Sequence, residues 1–422
     1  VMRVALTVAM GGFLMGFDAA VIAGAVSAIE IEFGLTKIQL GWSVSSLSLT
    51  ATLGMLLSGP LSDRIGRRLV LKIAALLFAV SALASAVAPD FLTFVLARML
   101  GGFGVGAALI IAPMYIAEMA PPQLRGRMVS LNQLNIVIGI SGAFFSNYLI
   151  LLIGQSDAAW AAALRLDEWG WRWMLGIEAL PAIVYFFALL FVPESPRWLA
   201  MQGRDDEAVD VMARVDGRDK AIKDLAAVKE AIEAEKKLGQ AKLGALFHRS
   251  MALVLAIGIT IGILQQATGI NAVFFYAPII FEQSGIGTNA SFMQAVLVGL
   301  MNVAFTVVAI LYIDRLGRRR LLGVGITGIA ACMFLLSYGF GSATYSLDRE
   351  AIGALPAEIS RTELEPLRDV VFDSDVEFRA AAYAAIGEAT YKRHESAIVA
   401  EAIDMNPTLI LLAILGFVAS FA

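Results

Sequence analysis

Long apolar runs separated by short polar loops set the pattern of this chain. Runs of about 20 residues, the length a helix needs to cross a bilayer core, recur near residues 4–27, 38–60, 69–88, 92–117, 128–153 and 172–192. Polar residues dominate from 193 to 249; further apolar runs follow near 250–282, 292–313 and 321–340, with a short one from 408 onward. The pattern predicts an all-α integral membrane protein. It divides into a six-span bundle over 1–192, a connector over 193–249, and a second bundle over 250–422 holding spans seven to nine and the start of a tenth.

The polar segments differ in kind. Between 193 and 249, acids and bases such as Asp205, Asp206, Glu207, Lys229, Glu230, Glu233, Glu235 and Lys236 alternate with apolar residues at helical spacing, which predicts short amphipathic helices. Between about 341 and 405 the acids Glu363, Glu365, Asp369, Asp373, Asp375 and Glu377 cluster, and a solvated helical insertion is expected. Basic residues in short loops set orientation. Arg64, Arg67 and Arg68 follow the second span, Arg125 and Arg127 the fourth, and Arg315, Arg318, Arg319 and Arg320 the eighth, whereas the loop around Pro89 and Asp90 has none. These loops and the amino terminus are expected on the cytoplasmic side, with the acidic insertion outside. The first apolar run is too long for a signal-peptide core and contains Asp18, so it is taken as a span.

Composition agrees. Hydrophobic residues make up 59% of the 422 positions and charged ones 16%, against an apolar share of roughly 45–50% in soluble domains. The net charge of −4 gives no basic excess for nucleic acid. A single cysteine, Cys332, excludes an intrachain disulfide and reads as a small buried hydrophobe. His248 and His394 lie far apart in charged segments, so no metal site is expected. Gly101, Gly102, Gly104 and Gly106 lack a preceding strand and predict close helix packing rather than a dinucleotide loop. The sequence has no Walker-type phosphate loop, which argues against a nucleotide-driven pump.

An internal repeat links the halves. GPLSDRIGRR (Gly59 to Arg68) returns as ILYIDRLGRR (Ile310 to Arg319), each at the end of a span. Repeats of this kind place a solute site between two parallel halves in secondary transporters. Each loop sets an aspartate beside a fork of guanidiniums, suited to bind neighbouring helix ends in one conformation and release them in another. Asp63, Arg64 and Arg68 form the first such latch, and Asp314, Arg315 and Arg318 the second. A plain orientation signal would explain the arginines but not the aspartate or glycine.

The chain resembles the sugar porters of the major facilitator superfamily. The resemblance rests on GFLMGFDAAVIAG in the first span, the two DRxGRR loops, RMLGGFGVG and PMYIAEMAPPQLRG around the fourth, PESPRWLAMQGR after the sixth, and QQATGINAVFFYAP in the seventh. It covers residues 5 to about 340 and implies two pseudo-symmetric six-helix halves. It also implies that Glu118, Arg125, Glu194 and Arg197 join the cytoplasmic charge network.

Polar residues within spans are costly and hence candidates for function. Gln133, Gln265, Gln266, Asn271 and Asn302 are neutral amides, offering donors and acceptors that suit sugar hydroxyls. The resemblance assigns these five to sugar contact; bonding between helices is the alternative. Gly269 is expected to loosen the seventh helix, and Phe274, Phe275 and Tyr276 could offer apolar faces to a sugar ring. Met15, Phe275 and Ile140 stand where xylose-carrying members have Phe, Tyr and Gln.

Asp18 and Arg98 form a charged pair whose approach and separation could load and release a proton. By resemblance Glu178 completes that network, and an aspartate at this position accompanies proton symport. A static ion pair that fixes packing is the other reading.

The expectation is a proton-coupled monosaccharide symporter of the cell membrane, working as a monomer by alternating access, with no enzymatic activity, cofactor or nucleic-acid or nucleotide partner. A uniporter is the nearest alternative, followed by a drug/proton antiporter and a non-transporting sugar sensor. Such a porter should have twelve spans. A chain that stops at Ala422 in the tenth is expected to be truncated and unable to complete a cycle by itself.

Overall fold

The structure is a computed structural model that describes residues 2–121, 124–238, 249–356 and 358–422. In the first part, α1 (Met2–Val21) runs through a short 3-10 turn into α2 (Val26–Phe33), followed by α3 (Lys37–Ile65), α4 (Arg67–Ala86), α5 (Phe91–Met119) and α6 (Arg125–Gly154). Then come α7 (Ala159–Ala163), α8 (Gly170–Gly176), α9 (Ala179–Ala188), α10 (Pro196–Met201), α11 (Asp205–Asp216) and α12 (Arg218–Leu238). The remainder holds α13 (Ala252–Ala267), α14 (Ile270–Glu282), α15 (Thr288–Leu316), α16 (Arg318–Gly341), four short helices α17 (Arg349–Ala354), α18 (Arg361–Leu364), α19 (Asp375–Ile386) and α20 (Glu388–Ala402), and α21 (Pro407–Phe421). Eight helical segments among the described residues are long and apolar enough to cross a membrane.

Two spans are interrupted, each for a local reason. The expected sixth span, 172–192, is two shorter helices, α8 and α9, with a turn at Ile177–Glu178. Pro181 has no N–H to give the Ile177 carbonyl and its ring crowds that group, so the helix restarts with Pro181 in its first turn. The seventh breaks between α13 and α14, where Gly269 takes a φ of +81° that a side chain would disfavour.

Contacts sort the chain into two compact units, each discontinuous in sequence, so that neither coincides with 1–192 or 250–422. One comprises Val1–Asp18, Ser43–Gly139 and Gly176–Asn271. Its core is an apolar cluster that includes Leu14, Leu71, Phe78, Ile111, Tyr115 and Tyr185. There α5 approaches α3 closely. A Cβ on Gly102 would lie 2.0 Å from Thr50 Oγ1, and one on Gly106 would lie 2.1 Å from the Ala51 carbonyl, the close packing expected of the glycine run. A smaller cluster with Leu199, Ala208, Val211, Leu225 and Ile232 joins α10, α11 and α12, whose opposite faces are charged.

The other unit comprises Ala19–Trp42, Ile140–Leu175 and Ala272–Ala422. Its acidic insertion is more than solvated helices. Strands β1 (Thr344–Tyr345) and β2 (Ile403–Asp404) pair antiparallel at its base, Thr344 opposite Asp404. Above them α17–α20 enclose a core with Leu347, Ile352, Leu364, Phe378, Tyr391 and Ile398. Burial pushes the Tyr391 phenol up to about 12, as a dry interior does. Here α16 packs on α21: a Cβ on Gly325 would meet the Ser420 carbonyl at 2.7 Å, and one on Gly416 would meet Cys332 Sγ at 2.8 Å.

Replacing Gly106 by Leu should drive a side chain into the α3 backbone. The expected loss is about 1–3 kcal/mol, read as a lowered midpoint of thermal unfolding in detergent. Gly126→Ala, whose Cβ would meet open space, should leave that midpoint unchanged.

Candidate functional site

Three charged side chains are buried together in the first unit. Asp18 near the end of α1, Arg98 in the second turn of α5 and Glu178 at the α8–α9 turn are 1%, 2% and 2% exposed. Arg98 Nη1 donates to Asp18 Oδ1, and Nη2 donates to the Asp18 carbonyl at 3.2 Å. Glu178 is buried in the same cluster. Two carboxylates against one guanidinium would leave an uncompensated buried charge. Asp18 Oδ2, Glu178 Oε1 and Arg98 Nε have no hydrogen-bond partner among the described residues. Space for the cluster comes from Gly101, where a Cβ would come within 3.1 Å of Asp18 Oδ2 and 2.5 Å of Ser81 Oγ. Ser81 itself is turned away, donating to the Ala97 carbonyl at 2.8 Å.

The amides are partly brought together. Asn271 Nδ2 donates to Gln266 Oε1 at 2.8 Å across the break at Gly269. Gln265, Gln266 and Asn271 are exposed, as is Gln133 on α6, all in the first unit. Asn302 on α15 belongs to the second unit and is buried. Phe274 is buried, with Phe275 and Tyr276 half-buried.

The first DRxGRR loop forms a bonded cluster that takes in Asp63 and Arg68 but not Arg64. Its centre is Arg67, only 3% exposed. Arg67 Nε and Nη2 donate to the two Glu118 oxygens at 3.2 Å each, and Nη1 lies 2.8 Å from Asp63 Oδ1. Glu194 accepts from the backbone N–H groups of Arg67 and Arg68 at 3.1 and 3.2 Å, capping the start of α4. Arg68 Nη1 donates to the Val192 carbonyl at 3.0 Å, Ser195 Oγ donates to Glu118, and Tyr115 donates to the Pro193 carbonyl at 2.7 Å. Gly66, at φ +98°, is required here: a Cβ would sit 2.5 Å from Glu194 Oε2.

Arg64 and Arg125 are exposed and join none of these bonds; Arg197 is half-buried on α10. In the second copy Gly317 repeats the positive φ, at +80°, but Arg315 and Arg318 are exposed, with no ion pair to either among the described residues. The Asp314 side chain and His248 lie outside the described part, while His394 pairs with Glu358 at 3.1 Å.

Arg67, Ser195 and Tyr115 are thus participants that the sequence reading passed over. For Arg67 the signal was present: it stands on the same stripe of α4 as the buried Val70, Leu71, Ala74 and Phe78. Arg67→Ala leaves Glu118 without its guanidinium and should cost about 3–5 kcal/mol, the usual penalty for halving a buried pair. Arg64→Ala should cost less than about 0.5 kcal/mol. Thermal unfolding of the two purified variants in detergent compares them directly.

Relatives share this architecture. The profile of the family described as Sugar (and other) transporter matches residues 4–355. The arabinose-proton symporter of Bacillus subtilis (strain 168) is 38% identical over 340 residues, covering 81% of this chain and 71% of that protein. The D-xylose-proton symporter of Escherichia coli (strain K12) is 36% identical over 366 residues, covering 81% of this chain and 72% of that protein. Among solved structures, the xylose transporter XylE from E. coli, in a partially occluded inward-open conformation, matches with a TM-score of 0.70 at 30% identity, over 99% of this chain and 92% of that one. With its helical spans, its repeated loop and these matches, the chain belongs to the Sugar (and other) transporter family and has the fold of the major facilitator superfamily.

Proposed function

We propose that the protein is a proton-coupled monosaccharide symporter, for a hexose or pentose, that works by alternating access. The observation that carries this reading is the buried Asp18–Arg98–Glu178 cluster, which holds two carboxyls against one guanidinium. Such a cluster is neutral with one proton and costly without it. A helix movement that draws Arg98 away from Asp18 favours a second proton, and its return expels that proton. A sugar bound in the same cycle then moves with the proton gradient. Relatives named as arabinose-proton and D-xylose-proton symporters support the same reading.

Gln133, Gln265, Gln266, Asn271 and Asn302 are proposed to contact the sugar, and the pairing of Gln266 with Asn271 supports this for the seventh span. Each amide presents both a donor and an acceptor to a vicinal diol. The cluster around Arg67, Glu118 and Glu194 is proposed to act as a cytoplasmic latch, with Asp63, Arg64, Arg68, Arg125 and Arg197, and with Asp314, Arg315 and Arg318 in the repeated loop. In this arrangement the amino terminus and the 193–249 connector face the cytoplasm, the 341–405 insertion faces outside, and the protein sits in the plasma or inner membrane as a monomer. Two bundles, 1–192 and 250–422, would then rock about a midplane site.

In proteoliposomes with an imposed inward proton gradient, labelled sugar should accumulate above its external level. Asp18→Asn, which cannot take up and release a proton, should only equilibrate it; accumulation that persists in this variant would overturn the coupling role. Asn271→Ala, by removing one hydrogen bond worth about 0.5–1.5 kcal/mol, should raise the KM for sugar up to about tenfold while the dependence on the gradient is kept.

A further inference from the structure

The second unit contains a half-open pocket that the symport reading does not use. A cavity of about 380 Å³ lies among the ends of α6, α8, α14 and α15 and the turn after α1, within the roughly 300–1,000 Å³ of ligand pockets. None of the five amides proposed for sugar contact lines it. On the proposed orientation, the lining ends of these spans all face away from the cytoplasm.

Small residues make the space. Gly24 and Ala28 form one wall, and a Cβ on Gly24 would meet Asn147 Nδ2 at 2.5 Å. Trp171 and Phe292 supply aromatic surface. The Trp171 ring is held in place, because its Nε1–H donates to Glu32 at 2.6 Å and Arg172 lies 4.3 Å over it. With that N–H spent, the indole can offer the cavity only apolar surface. The polar lining is acceptor-rich. Glu282, 9% exposed, Asp167 and Glu168 (the last paired with Arg165) bring carboxyls, Thr288 and Ser27 add hydroxyls, and no lysine or arginine lines the space. An anion is therefore disfavoured, and a neutral polyol is matched on both counts: apolar ring face to aromatic surface, hydroxyl edge to carboxylate and hydroxyl.

Gln155 belongs both to the lining and to a bonded pair. It lines the cavity and also exchanges two hydrogen bonds with Asn289, Nε2 to Oδ1 and Nδ2 to Oε1, both 2.9 Å. The pair clasps the end of α6 to the start of α15 and is exposed.

We propose that this cavity is a second, outer sugar site that takes one monosaccharide behind the Gln155–Asn289 clasp. The proposal rests on the symport reading for its choice of ligand and for which side is external.

Equilibrium dialysis of labelled D-xylose against the purified full chain tests it, with proteoliposome accumulation measured in parallel. The native protein should bind two equivalents. Ala28→Trp, which fills the cavity, should bind one, with the inner affinity within about twofold. Gln266→Ala combined with Asn271→Ala should keep one equivalent at the outer site. Glu282→Gln preserves shape and is the check should Ala28→Trp fold poorly; it should weaken the outer site about tenfold and leave the inner one alone. A native stoichiometry of one, unchanged in Ala28→Trp and in Glu282→Gln while accumulation proceeds, overturns the outer site and leaves symport standing. Outer binding that persists without accumulation in the native protein overturns symport and supports the cavity. Absence of any D-xylose binding overturns the outer site for this ligand class.

Discussion

A guanidinium buried with two carboxyls constrains the packing of the first unit around it. Charges in an apolar bundle are tolerated only when paired and hydrogen-bonded, and the surroundings of Arg98 meet that demand locally. Gly101 is small so that Asp18 fits, Ser81 is occupied by the Ala97 carbonyl, and the helix carrying Glu178 breaks at its position. Oxygens without partners on both acids keep the cluster from being a fully satisfied structural pair.

The two copies of the repeated loop show how one backbone motif can carry two degrees of engagement. Gly66 and Gly317 adopt the same left-handed φ and join consecutive helices alike. Around Gly66 the arginines bond to Glu118 and Glu194, whereas Arg315 and Arg318 are exposed. Among the described residues the repeat thus conserves a turn and differs in its partners.

Much of the fold was legible in the apolar runs, because membrane thickness gives helix length a physical scale. The amides on α13 and α14 and the Asp18–Arg98 pair were legible too, since intramembrane polarity is costly. Partners distant in sequence were not. Arg67 stands beside Arg68 in the chain and two readings of DRIGRR fit it equally, until the stripe with Val70 and Leu71 is considered. The break at Glu178 could have been read from Pro181 four residues after Ile177, but the surrounding hydrophobicity masked it. The insertion resisted for another reason: its acids signalled solvent, while the spacing of Leu347, Leu364, Phe378 and Ile398 that builds its core spans several short helices and has no single period.

The pairing of Thr344 with Asp404 at the foot of that insertion has a consequence for the rest of the unit. Its entry and exit strands are one hydrogen-bonded step apart, so α16 and α21 meet much as if a tight turn joined them, and their contacts at Gly325 and Gly416 are undisturbed. Roughly sixty residues are carried at little topological expense, since closing a longer loop adds only slowly to the entropy cost. Such a module can drift, be exchanged or be borrowed by another chain while the helices beneath it stay under their own selection.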